Sequence, residues 1–203
     1  RVLFRSSEQE QFIEKYETLR ESLKNTEKIY FMDGVHPTHN VMPDYAWIRT
    51  GQERAVKSNT GRQRININGV YSPIDQEIIV REDFRINSQS TIELLKEIES
   101  RHPELSRIYI IRDNAKYYCS KEVKDYLVDS KIEFLPLPPY SPNLNLIERL
   151  WKFFKKKVLS NKYYENFEIF KKTAMDFFEV DIGKYREEIK SLLTENFHLF
   201  PES

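Results

Sequence analysis

Leu135-Pro136-Leu137-Pro138-Pro139-Tyr140-Ser141-Pro142-Asn143-Leu144-Asn145-Leu146-Ile147-Glu148, approached from Asp113-Asn114-Ala115 and left through Arg149-Leu150-Trp151, is the stretch that decides the fold. Asp113 follows the apolar run Ile108-Tyr109-Ile110-Ile111, which reads as a buried strand with a polar stop. The prolines stiffen the turn, because the pyrrolidine ring fixes φ. Beyond them Leu144, Ile147, Trp151, Phe154 and Val158 recur at spacings of 3, 4, 3 and 4, one face of a helix. At about 100° per residue, Glu148 falls at the margin of that face, together with Lys152 and Lys155. A strand-end Asp and a helical Glu that meet in space repel each other unless a cation lies between them. The stretch therefore predicts a Mg²⁺-type site, with Asp33, at the end of Lys28-Ile29-Tyr30-Phe31-Met32, as the third ligand. Taken alone, Glu148 also reads as half of an i,i+4 surface pair with Lys152.

Composition narrows the classes. The 203 residues include 32 basic and 32 acidic side chains, so a nucleic-acid partner can be argued only from local clusters. With 32% charged residues and a mean hydropathy of −0.65, a soluble α/β protein is expected. No run approaches the ~18 apolar residues of a membrane span, and no secretory signal is seen. Residue 1 is Arg, so the chain reads as a piece of a longer protein. A single cysteine, Cys119, excludes an intrachain disulfide or a Cys-cluster zinc site and suggests the cytoplasm.

The remaining elements follow from periodicity. Ser7-Glu8-Gln9-Glu10 is a capping-box pattern before Phe12, Tyr16, Leu19 and Leu23, so residues 1–27 are expected to be a linker and a packing helix. Strand one should end at Asp33, broken by Gly34 and Pro37. His36 and His39 suit loop or DNA contacts better than zinc, for want of a third soft ligand. Ala46–Arg49 reads as extended, 64–71 and 77–81 as strands around the turn 72–75, and Ser90-Thr91-Ile92-Glu93 as a second capping box. Ser120 should cap a helix bearing Val123, Tyr126 and Leu127 before a strand over 132–137. A core over 28–160 and a C-terminal helical extension over 161–203, with helices near 165–179 and 183–195, complete the expected organisation.

Two segments are basic. Residues 49–64 hold Arg49, Arg54, Lys57, Arg62 and Arg64 against one acid, Glu53, and read either as a solvated hairpin tip or as a phosphate-gripping loop. Residues 149–162 hold Arg149, Lys152, Lys155, Lys156, Lys157 and Lys162 and no acid, with Trp151, Phe153 and Phe154 interleaved. Beside an acidic metal site this is the composition of a nucleic-acid track.

Helix, three-strand meander, helix, strand, helix, strand, helix, with acids after strands one and four and on the last helix, is the layout of the ribonuclease H-like fold. The expected architecture is a mixed five-stranded sheet flanked by helices, strand one beside strand four. Phe31-Met32-Asp33-Gly34-Val35-His36-Pro37, Arg112-Asp113-Asn114-Ala115 and the 137–151 motif resemble the DDE transposases, in particular the mariner-like branch of bacterial insertion sequences. The 34 residues at positions 114–147, between Asp113 and Glu148, suit that branch.

The resemblance implies a catalytic domain that cuts and joins DNA, with Asp33, Asp113 and Glu148 as the triad holding two Mg²⁺ or Mn²⁺ ions. It implies transposon ends and target DNA as partners, a homodimer on that DNA, and a bacterial, nucleoid-associated location. It also implies a DNA-reading module outside this segment. Tyr118 and Leu146 depart from the family, which often has His and Pro there. Another ribonuclease H-like nuclease and an inactive DNA-binding remnant are the alternatives. A phosphatase built on a strand-end Asp is disfavoured, because the residue two beyond Asp33 is Val35.

Overall fold

A computed structural model describes residues 2–42 and 63–197, with side chains from Ser7 onward. Helix α1 (Val2–Ser22) leads into strand β1 (Glu27–Val35), then β2 (Asn66–Tyr71) and β3 (Ile78–Asp83). Helix α2 (Ser88–Arg101), β4 (Arg107–Arg112), α3 (Lys121–Val128), β5 (Ile132–Pro136) and α4 (Leu146–Val158) follow, and α5 (Phe167–Asp176) and α6 (Arg186–Leu192) close the chain. The sheet order is β3-β2-β1-β4-β5. Strands β1, β2 and β3 form an antiparallel meander, whereas β4 pairs parallel with both β1 and β5. This is the mixed, ribonuclease H-like sheet expected from the element order.

Strand β1 is central and covered on both faces, which is why it reads as an unbroken apolar run rather than an alternation. Ile29 and Phe31 face the larger core with α1, α4 and the C-terminal helices. Tyr30 and Met32 face the other with α2. Phe12 and Tyr16 of α1 and Leu150, Trp151 and Phe154 of α4 are all 9% exposed or less. Burying side chains of this size contributes roughly 1.5–3 kcal/mol each. Residues beyond 160 share this core: Phe177 and Phe178 lie against Phe154 at ring-centroid distances of 5.4 and 4.9 Å.

Several boundaries differ from the sequence reading. Helix α1 starts at Val2, before the Ser7 box. Gly34 does not end β1, which continues to Val35. A Cβ on Gly34 would stand 2.4 Å from Ile86 Cδ1, so the glycine makes room for a covering side chain rather than a turn. Helix α2 is capped by Asn87, whose side chain accepts from the Ser90 N–H while the Ser90 hydroxyl accepts from the Asn87 N–H. Ser90 is thus the last residue of the box, at N3, not its first. Ser120 caps α3 as read, accepting from the Val123 N–H at 3.3 Å. The last helical stretch is interrupted: α5 passes through a π turn (Phe177–Asp181) and a 3₁₀ turn (Ile182–Tyr185) before α6. Ala46–Arg49, Arg54, Lys57 and Arg62 lie outside the described residues.

Candidate active site

The β1–β4 register pairs Met32 with Arg112, so Asp33 and Asp113 follow side by side at one end of the sheet. Asp113 is held as it leaves β4. Its Oδ1 accepts from the Ala115 N–H at 3.0 Å, and Asn114 Nδ2 donates to the Leu137 carbonyl at 2.8 Å. Arg112 turns its guanidinium onto the Asp113 carbonyl at 2.7 Å and lies over the rings of Tyr118 and Phe134. Glu148 projects from the first turn of α4. That turn is tied to β1 by the buried Asn145, whose Nδ2 donates to the Met32 carbonyl at 3.3 Å. Gln9 of α1 latches the proline turn, donating to Ser141 Oγ at 2.9 Å. The sequence reading does not single out Gln9, Arg112, Asn145 or Trp151 as site-supporting residues. The signals that could have found them were a polar residue inside or beside an apolar run, as Asn145 and Arg112 are, and a polar residue on the apolar face of a helix, as Gln9 is three residues before Phe12.

Asp113 and Glu148 both act on Asp33. Burial, then Glu148, then Asp113 push the Asp33 carboxyl up to about 8, against the pull of the Gly34 N–H and the Trp151 indole. Asp113 and Glu148 both line a cleft of about 540 Å³ walled by Leu137, the proline turn and Asn145. Asp33 lies deeper and is only partly accessible. Among the described residues, no three His, Cys, Asp or Glu side chains stand close enough to form a ready-made metal cage. The donor set nevertheless suits a hard divalent cation: three carboxylates, all oxygen, and no cation among the leading influences on Asp33. A metal ion would invert the repulsion that now raises the Asp33 carboxyl.

A second cleft, about 550 Å³, shares Glu148 with the first and is lined by Lys152, Lys155 and Lys156, together with Met42 and Ser160. Arg149 borders it, but its guanidinium donates to the carbonyls of Thr194 (2.7 Å) and Asn196 (3.0 Å). Lys157 turns away, pairing with Glu188 at 2.8 Å and covering the rings of Phe153 and Tyr185. Arg64 is exposed in an isolated bridge to Thr38. The two histidines part company: His36 Nδ1 bonds Asn66 Oδ1 at 2.8 Å, and the buried His39 bonds the Tyr164 carbonyl at 2.9 Å and stacks on Phe170.

Comparison with known proteins adds the following. An uncharacterised protein of Sinorhizobium fredii, y4pE/y4sA, is 28% identical over 82 residues, which are 40% of this chain and 58% of that protein. The structure of the mariner Mos1 paired-end complex with Mg superposes with a TM-score of 0.65 at 18% identity, over 98% of this chain and 63% of that one. The Mos1 transposase catalytic domain, solved with Raltegravir and Mg, gives 0.58 at 17% identity, over 97% of this chain and 94% of that domain. At these identities the likeness is one of fold. This chain spans less than two thirds of the Sinorhizobium protein and of the chain in the paired-end complex. The profile of the DDE superfamily endonucleases matches residues 28–171, a span that contains all three acids, both clefts and all of the sheet but Glu27. With most of its length matched by that profile, this chain belongs to the DDE superfamily of endonucleases.

Proposed function

We propose that this chain is the catalytic domain of a cut-and-paste transposase that cleaves DNA and joins the cut ends to a target. The observation that carries the reading is that Asp113, just past the end of β4, and Glu148, on α4, both bear on the Asp33 carboxyl of the neighbouring strand β1, with Glu148 where the two clefts meet. Membership of the DDE endonucleases and the fold shared with Mos1 transposase support it.

In this reading Asp33, Asp113 and Glu148 would together hold Mg²⁺ or Mn²⁺, two ions to the site. Such ions, when bound, activate the attacking oxygen and offset charge on the leaving one. The protein's own part is to hold three carboxylates where in-line attack on a phosphodiester needs them. Asn145 and the Ala115 N–H fix the backbone and the Asp113 carboxylate. Lys152, Lys155 and Lys156 neutralise backbone phosphates in the adjoining cleft, supplying affinity without reading sequence. Arg64 and the basic residues Lys57 and Arg62 are assigned to the same backbone. Arg149, bonded to two carbonyls, is reassigned to anchoring the C-terminal segment. The Mos1 structures with paired ends, and with Mg or Mn, support DNA ends and a divalent ion as partners. A homodimer on paired ends, in the cytoplasm of a bacterium and on its nucleoid when DNA-bound, completes the reading.

The test is strand joining. The full-length protein is incubated with Mg²⁺, a duplex bearing the element's ends, and target DNA. Joined product supports a transposase. Nicking with no joined product would make the chain a nuclease of the same fold.

A further inference from the structure

Trp151 lies on α4 three residues beyond Glu148 and is 1% exposed. Its indole N–H is fully buried and, among the described residues, has no acceptor in hydrogen-bonding geometry. Leaving such a donor unpaired is costly, so a buried orphan of this kind calls for a role. The ring cannot turn away to find another partner. Its Cη2 edge lies 3.0 Å from where a Cβ on Gly69 would stand, and Phe178 packs edge-on at 5.9 Å. Gly69 is the register partner of Asp33 across the β1–β2 ladder. The clamp that fixes the indole is therefore built on the residue opposite Asp33. The indole is also a neighbour of the Asp33 carboxylate, alongside the Gly34 N–H, and stands just outside hydrogen-bonding geometry.

We propose that Trp151 is a positioning residue whose indole N–H is the reserved hydrogen-bond donor to the Asp33 carboxylate, setting that carboxylate's rotamer for a divalent cation. The proposal rests on the reading of Asp33 as a metal ligand. A ligand carboxylate is ordinarily held by an outer donor, and one N–H occupies a single lone pair and leaves the rest for metal. Hydrogen bonds at apo sites are often long or poorly aligned. The arrangement also puts two jobs on one helix: α4 carries Glu148 itself and the group that orients Asp33. Any movement of α4 changes both ligands together.

The experiment uses the full chain, ¹⁵N-labelled at tryptophan, with a Trp47→Phe variant to assign the Trp151 indole resonance. In the metal-free protein that resonance should shift on Asp33→Asn, and it should shift again in the parent on adding Mg²⁺. Mn²⁺ affinity, read from the free-ion electron paramagnetic resonance signal, should fall about 10-fold or more in Trp151→Phe, in the range seen when outer-sphere donors are removed. Phe178→Leu loosens the same packing without touching the N–H. It should lower the melting temperature and leave Mn²⁺ affinity within about twofold of the parent. The proposal is overturned if Trp151→Phe binds Mn²⁺ like the parent, or if Phe178→Leu weakens binding as much. An indole resonance indifferent to Asp33→Asn overturns it too, and that arm stands even if Trp151→Phe does not fold. If the parent binds Mn²⁺ no better than Asp33→Asn, the metal reading itself fails and the proposal falls with it, a result distinct from the other three.

Discussion

Gly69 stands opposite Asp33 in the antiparallel β1–β2 ladder, and the edge of the Trp151 ring occupies the space a side chain at 69 would need. A Cβ there would meet Val80 Cγ1 at 2.9 Å, Trp151 Cη2 at 3.0 Å and the Ile79 carbonyl at 3.1 Å. Backbone on one side and a clamped ring on the other leave nothing that yields easily. Gly69→Ala should therefore destabilise the fold by about 1–3 kcal/mol, the usual cost of overpacking a filled core. Chemical denaturation measures this, and an unchanged or higher midpoint would show that the strand relaxes freely.

The acidity of Asp33 makes a signed prediction. Its folded-state pKa, about 8, lies far above the ordinary carboxylate value, because burial and then Glu148 and Asp113 disfavour the charge. A raised acid helps the fold fully below its unfolded pKa, near 4, and that help is lost as pH climbs toward 8. Comparing parent with Asp33→Asn isolates this group from every other. Without metal, the variant should gain on the parent as pH rises from about 4 to 8, by an amount on the order of a few kcal/mol. Thermal melts across that range decide it. Parallel curves for the two proteins would mean the Asp33 carboxylate is ionised at no cost.

At the opposite end of β1, Lys28 is 7% exposed and bonds Asp75 at 2.6 Å as well as Glu77. Glu77 also accepts from the Tyr30 hydroxyl at 2.6 Å and lies 2.9 Å from His102. Burial is the largest single influence and raises both acids, but the hydrogen bond and charge of Lys28, together with Ser72 at Asp75 and Tyr30 and His102 at Glu77, outweigh it in sum, and the net direction for both is down. Lowered acids stabilise above their unfolded pKa, near 4, and that contribution is lost as pH falls through the folded values. Lys28→Met should cost about 1–2 kcal/mol near neutral pH, since it leaves Glu77 without its cation while the half-exposed Asp75 is screened by water, and less in acid. A penalty that does not shrink on acidification would show that the loss is packing alone.

The lysine cleft and Arg149 should separate cleanly. Changing Lys152, Lys155 and Lys156 to Ala should weaken DNA binding and lower the salt slope by roughly 0.9 for each phosphate no longer neutralised. Arg149→Ala should instead lower the melting temperature, by a loss of about 1–2 kcal/mol, and leave the slope unchanged, because its guanidinium serves two carbonyls of the chain. Binding titrations from low to moderate salt test both. An unchanged slope in the triple variant would mark the cleft as a merely solvated face.

The order of elements and the places of the acids were legible because both follow local rules. An apolar run covered on both faces reads as a central strand, and a 3-4-3-4 stripe reads as a helix whichever partner it meets. What was missed depends on tertiary neighbours. Gly34 looks like a breaker until Ile86 is seen to lie over it. Trp151 is simply one more core residue until Gly69 and Asp33 are found beside it. Asn145 carries no sign that its amide reaches the Met32 carbonyl. Charge alone groups Arg149 and Lys157 with the track, and only their bonds to the C-terminal segment separate them from Lys152, Lys155 and Lys156.

The central claim is that Glu148 acts as a charged ligand at a shared metal site. Glu148→Gln preserves size and the first turn of α4 but removes the charge. The decisive measurement is Mg²⁺-dependent nicking of end-bearing DNA by full-length protein carrying this change, with the melting temperature and metal-free DNA binding recorded alongside. Fold and binding should persist while nicking drops to background; a variant that nicks at close to the parent rate would contradict the claim.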